Sequence, residues 1–208
     1  GITVDGEPTR AAASGGAREV ASVSSAPLSD ILAVSLKTSD NTMTEVEGRL
    51  VAAHAKETTD FAGASKAVLA QLSKDGFDTS GVTLLDSSGL AKGNKVPARL
   101  LTQIMTKAAG GEGGSAGRTL IADLPVAALD GTLGNRLHDT AAAGTVRAKT
   151  GSLEQTASLA GVVTTADGRQ LAFAVMTNGF PTNGGGATAA AAAIDNHFVA
   201  PLASCGCS

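Results

Sequence analysis

Two tripeptides hold residue types that can move a proton and grip a peptide: Ser39-Asp40-Asn41 and Lys149-Thr150-Gly151. A hydroxyl both donates and accepts, so Ser39 can relay a proton to a leaving amine. The Asn41 carboxamide offers a matched donor and acceptor to a peptide group. Lys149 places positive charge beside such a relay. Thr150 can hydrogen-bond a carboxylate, and Gly151, lacking a Cβ, lets a peptide lie close to the backbone. The N–H of Ser152 can face a developing oxyanion. Both tripeptides also have ordinary readings, as helix caps and as a strand end followed by a turn. Each arises by chance in only about a few per cent of chains this long, so both in this order are rare.

Other polar groups rank lower. Ser88-Gly89 reads as a tight loop over the site, not a second nucleophile. Arg147 is expected to face away from the cleft. Arg136, His138 and Asp139 resemble a His/Asp dyad but sit too close together in a polar turn. Cys205 and Cys207 form a C-x-C pair that is too small for a zinc site, and no histidine has ligand spacing to it. The expectation is no metal, no cofactor, and a surface tail over 203–208 with a disulfide or free thiols, as in exported proteins.

The elements that must position these residues follow from apolar spacing. Leu28, Ile31, Leu32 and Leu36 recur at helical intervals after Pro27, and the pattern breaks at 38–41. A second helix starts there, capped by Ser39 or Asp40, with Met43, Val46, Leu50 and Ala53 on its apolar face. Helices are also expected over Ser65 to Lys74, Pro97 to Ala109 and Ala187 to Leu202. An edge strand is expected over Arg18 to Ser25 and a short buried strand over Val82 to Leu85. Gly110 to Gly117 reads as a mobile loop, Leu120 to Leu129 as short helix or turn, and Asp130-Gly131-Thr132 as a turn. Val146 to Lys149 reads as a strand that ends at Thr150-Gly151. Ala157 to Thr165 and Gln170 to Thr177 read as a hairpin joined by 166–169. The result is a mixed α/β (α+β) domain, helices packed on an antiparallel sheet.

Bulk properties exclude several classes. With 208 residues the chain can bury one substantial core. A net charge of −3, five Phe, and neither Trp nor Tyr argue against nucleic-acid or aromatic-platform binding. No apolar run approaches the roughly 20 residues of a membrane span. The chain starts at Gly1 without an initiator Met, as expected of a processed product or a piece of a longer protein.

The two tripeptides are two of three signature elements of the penicillin-recognising serine enzymes. The resemblance becomes specific over longer segments. Pro27 to Asn41, Asp86-Ser87-Ser88-Gly89-Leu90 with Asn94, Leu124-Pro125-Val126, Asp130 to Leu133, and Gly144 to Leu153 resemble the D-alanyl-D-alanine carboxypeptidase/endopeptidase family of the penicillin-binding protein 4 type (peptidase S13). So does the opening Gly1 to Gly6. The similarity runs to about Phe180.

The resemblance implies a penicillin-binding, transpeptidase-like fold, with the chain as the C-terminal portion of that domain. It implies hydrolysis of D-Ala-D-Ala bonds or peptide cross-links of peptidoglycan through an acyl-serine, and inhibition by β-lactams. Ser39 would relay the proton and Asn41 would bind the substrate amide. Lys149 would set the local field, while Thr150, Gly151 and Ser152 would hold carboxylate and oxyanion. Asp40, Ser88 and Gly89 would support the site. The family's Ser-x-x-Lys nucleophile is not here: no serine in this chain is followed three positions later by lysine. The expected partners are an N-terminal fragment of the same protein carrying Ser-x-x-Lys, a peptidoglycan stem peptide and β-lactams. The chain alone is expected to be inactive. Location is expected outside the cytoplasmic membrane, in periplasm or cell wall, with membrane attachment through an absent segment as an option. The alternatives are a serine β-lactamase, for which Glu45, Glu47, Glu57 and Glu112 lack the Glu-x-x-Leu-Asn context, and a non-catalytic peptidoglycan-binding fragment.

Overall fold

The apolar runs of the C-terminal half build a three-stranded antiparallel sheet in the order β1 (Val146–Leu153), β2 (Thr156–Thr164) and β3 (Gln170–Asn178). The computed structural model describes residues 1, 3 and 5–205. The middle strand β2 is buried on both faces, which explains its nearly continuous apolar sequence. On one face Val146, Ala148, Leu159, Val163 and Phe173 pack with Ile194 and Val199. Those last two belong to helix α6 (Gly186–Ile194) and the π-helical turn Asp195–Val199, which leads into α7 (Ala200–Ser204). On the other face Val162 packs with Met105 and Leu124, beneath α4 (Ala98–Ala109) and α5 (Gly114–Asp123).

The register pairs Lys149 with Ala160 and Ala148 with Gly161. A Cβ on Gly161 would lie 2.1 Å from the Arg147 carbonyl and 2.6 Å from Ala148 Cα, so only glycine fits there. Residues 125–127 extend the sheet beside the first half of β1. The Ala148 N–H donates to Pro125 O at 3.0 Å, and the Ala127 N–H donates to Val146 O at 3.0 Å. Beyond Ala148 this edge of β1 has no neighbouring strand among the described residues.

The N-terminal half is helical: α1 (Leu28–Thr38), α2 (Asn41–His54) and α3 (Phe61–Lys74). The apolar face expected for α2 is not the packed one. Val46 and Leu50 are about half exposed, whereas Gly48 and Ala52 are buried with Ala64 and Ala67 of α3. Small residues win this contact because they let the helix axes approach closely.

Several local expectations change. No strand forms over Arg18 to Ser25, where Val20 and Val23 are 88% and 98% exposed, because no partner ladder lies beside it among the described residues. Val82 to Leu85 contributes a single bridge, Thr83 to Lys95, and Leu85 is 49% exposed. Helix α3 starts at Phe61, where the Asp60 carboxylate accepts the Gly63 N–H at 2.8 Å. The second half of the glycine-rich loop is the start of α5, with Gly117 buried against Ala108. The strand holding Lys149 runs on to Leu153 and carries Thr150-Gly151 in its middle. The tail expected over 203–208 begins inside α7, where Ala203 is buried. Cys205 is disulfide-bonded; Cys207, like Ile2 and Val4, lies outside the described residues.

Candidate active site

The corner between α1 and α2 is two residues long. Ser39 ends α1 in the left-handed conformation (φ 57°), and its N–H donates to Ser35 O. A non-glycine residue there costs about 1 kcal/mol, which the two flanking helices must offset. Asp40 then caps α2, its Oδ1 accepting the Met43 N–H at 2.8 Å. This settles the cap between the two expected candidates: Ser39 closes one helix and Asp40 opens the next. Ser39 is thereby left free to turn its hydroxyl toward the sheet, and Asn41 stands exposed on the first turn.

Lys149 meets that hydroxyl. Its Nζ donates to Ser39 Oγ at 2.6 Å, across 110 positions of sequence, and to the Thr150 carbonyl at 2.8 Å. Burial pushes the Lys149 ammonium below its ordinary value of 10.5. Among the described residues no carboxylate pairs with it. Thr150 Oγ1 donates to Thr132 Oγ1 at 2.8 Å. At Gly151 a Cβ would come 2.4 Å from Ser158 Oγ, so a side chain there would have to displace that hydroxyl. Ser152 is exposed. Residues 146 and 148 use their backbone groups on the outer edge of β1. The two-residue period therefore turns the backbone groups of Thr150 and Ser152 to that same edge.

What holds the two walls together was not visible as a motif. Lys37, two residues before Ser39, donates to Leu124 O at 2.7 Å and to Asp130 Oδ2 at 2.7 Å. Asp130 also accepts the Val126 N–H at 2.8 Å. Burial opposes ionisation of Asp130, but the Lys37 and Val126 donors outweigh it and hold the carboxyl below the usual range. Gly131 (φ 57°) lets the turn close on α1, because a Cβ there would lie 2.8 Å from Lys37 O. The 130–132 turn thus ties the end of α1 to the strand segment 125–127 and, through Thr132, to Thr150. Its sequence carries part of the family resemblance, yet no spacing rule connects residue 37 with residue 130.

A third element borders the site. Asp86 accepts from the Gly89 N–H (2.9 Å), the Ala91 N–H (2.7 Å) and Asn94 Nδ2 (2.6 Å). Burial opposes its ionisation, and these donors lower its pKa overall. Glu45 accepts the N–H groups of Ser87 and Ser88 at 3.1 and 2.8 Å, joining the loop to α2. Lys92 reaches Glu154 at 3.5 Å, just past Ser152-Leu153. Ser88 and Gly89 therefore sit on a built loop, with Gly89 at φ 84°.

The Arg136, His138 and Asp139 cluster lies elsewhere, whereas Arg147 does not face away: it shares its face of β1 with Lys149, and its charge helps hold Asp130 below the usual carboxylate range. Arg136 forms a two-point ion pair with Asp195 at 2.6 and 2.9 Å. His138 is exposed and contacts Gly134 O. Arg147 donates to Ala122 O at 3.2 Å. Hollows of about 510 and 540 Å³ lie at Phe77 and α4 and between β3 and α6, away from Ser39 and Lys149.

Comparison with known proteins identifies the family. The model of the D-Ala-D-Ala carboxypeptidase 3 (S13) family matches residues 1–199, and the chain belongs to that family. It is 44% identical over 196 residues to carboxypeptidase DacB of Mycolicibacterium smegmatis, covering 92% of this chain and 41% of that protein. It is 37% identical over 170 residues to the D-alanyl-D-alanine carboxypeptidase of Actinomadura sp. strain R39, covering 78% and 30%. The crystal structure of penicillin binding protein 4 (dacB) from Haemophilus influenzae superposes with a TM-score of 0.70 at 33% identity, over 75% of this chain and 34% of that one. The same protein complexed with a β-lactam gives 0.69, over 74% and 36%. The mixed α/β penicillin-binding fold expected from sequence is the fold observed. The chain spans about two fifths of the DacB relative's length.

Proposed function

We propose that this chain forms one side of the active site of a serine-type D-alanyl-D-alanine carboxypeptidase/endopeptidase. Its whole protein would trim or cleave peptidoglycan stem peptides through an acyl-serine and would bind β-lactams. The nucleophile comes from a Ser-x-x-Lys segment outside residues 1–208. The observation that carries this reading is the 2.6 Å hydrogen bond from Lys149 Nζ to Ser39 Oγ. The half-exposed apolar side chains Val34, Val46 and Leu50 on α1 and α2 are consistent with further chain covering this side.

The chemistry follows from the geometry. An extended peptide pairs with the free edge of β1 at Thr150 and Ser152, and Asn41 engages a substrate amide from the opposite wall. As the external serine passes its proton to the lysine of its own Ser-x-x-Lys segment and attacks the carbonyl of the D-Ala-D-Ala bond, the Ser152 N–H faces the developing oxyanion. The C–N bond then breaks, and the leaving D-alanine amine takes a proton from Ser39. Lys149 replaces that proton. An ammonium already destabilised by burial gives it up more readily than an exposed lysine does. Thr150 turns its one hydroxyl proton from Thr132 to the terminal carboxylate, and Thr132 then donates to Thr150. Water later hydrolyses the acyl-serine. Because this substrate lies outside the cytoplasmic membrane, the protein is exported, to periplasm or cell wall.

The test is D-alanine release from a stem pentapeptide by the full-length protein. Release with slow turnover of bound β-lactam is expected. Rapid β-lactam hydrolysis without D-alanine release would favour a serine β-lactamase, and neither activity would favour a binding fragment.

A further inference from the structure

We propose that Glu45 is a positioning residue whose carboxylate sets the 86–94 loop over the site and thereby fixes how tightly the site grips its peptide. The inference rests on the peptidase reading above. On α2 the face carrying Asn41 continues through Glu45, one turn on, to Gly48. Glu45 Oε1 accepts two consecutive loop N–H groups, from Ser87 and Ser88. Its Oε2 is buried with no hydrogen-bond partner among the described residues, so its hydrogen bonding is spent on these two loop donors. Gly48 supplies a slot for the same loop, since a Cβ there would fall 2.0 Å from Ser87 Oγ.

The loop is stiffened internally by Asp86, so it moves as a unit when its anchor moves. At its other end Lys92 meets Glu154, beyond the last residues of β1. It therefore spans from the helix that carries Asn41 to the tip of the strand that carries Thr150 and Ser152. Ser39 and Lys149 are held by different contacts, through Lys37, Asp130 and Thr132. Releasing the loop should loosen substrate binding and leave the proton relay in place.

The test uses the full-length protein with a D-Ala-D-Ala-terminated stem peptide. Glu45→Ala is expected to raise KM about tenfold with kcat within about twofold. Glu45→Gln keeps a carbonyl acceptor for both N–H groups and should recover most of the loss. Gly48→Ala should raise KM from the steric side. Wild-type KM in Glu45→Ala, or a fall in kcat at unchanged KM, overturns the proposal. If Glu45→Ala does not fold, Gly48→Ala decides: raised KM at constant kcat supports it, and unchanged KM overturns it. A wild-type protein that releases no D-alanine overturns the peptidase reading, and this inference with it.

Discussion

Lys149 is the residue on which the proposed chemistry turns, because it is cationic, half-buried and aimed at a hydroxyl rather than a carboxylate. Lys149→Met in the full-length protein should slow acylation by penicillin by about 10²–10⁴-fold, the usual span for a lost acid–base group, as followed by stopped-flow labelling. The same variant should be no less stable than wild type at pH 7. The folded-state pKa of Lys149 lies below 10.5, so between the folded and unfolded values the unfolded chain binds more protons. Wild-type stability therefore rises with pH through that window, and any advantage of Lys149→Met shrinks, which denaturant titrations at neutral and alkaline pH would show. The residue types at 39, 41, 149 and 150 were legible because each tripeptide is short and rare. Glu45 and Lys37 were not, because a paired charge on a helix looks like a solvated one until its partner is known, and theirs lie 42 and 93 positions away.

At the scale of elements, the site depends on one close approach and one ion pair. Gly161→Ala would push β2 away from β1 beside Lys149 and should cost about 2–3 kcal/mol, seen as a lower urea midpoint. Asp130→Asn would weaken the tie between α1 and the 125–127 strand. Both partners are partly exposed, so the loss at pH 7 should be only about 1 kcal/mol. Asp130 has a depressed folded pKa, so its contribution is complete above the unfolded carboxylate value. It is lost as pH falls through the folded one. The variant and wild type should therefore converge in stability only as pH falls below the unfolded carboxylate value and through the depressed folded one. The hairpin was readable because β2 and β3 alternate or run apolar between clear turn residues. The second half of the glycine-rich loop was misread because glycines at 113 and 117 serve close packing on Ala108 rather than chain freedom. The face of α2 was misread because hydrophobicity was weighed above size, and Gly48 and Ala52 make the contact.

For the whole molecule, the family match spans residues 1–199, and the penicillin-binding fold superposes over 75% of the chain. On the proposed reading the Ser39–Lys149 wall faces a nucleophile supplied from outside this chain. Mapping the adduct by mass spectrometry after labelling with penicillin tests this most directly, on the full-length protein and on residues 1–208 alone. The account predicts a penicilloyl group on the serine of a Ser-x-x-Lys segment outside this chain, and none on the isolated chain. An adduct on any serine within residues 1–208, Ser39 above all, would contradict it.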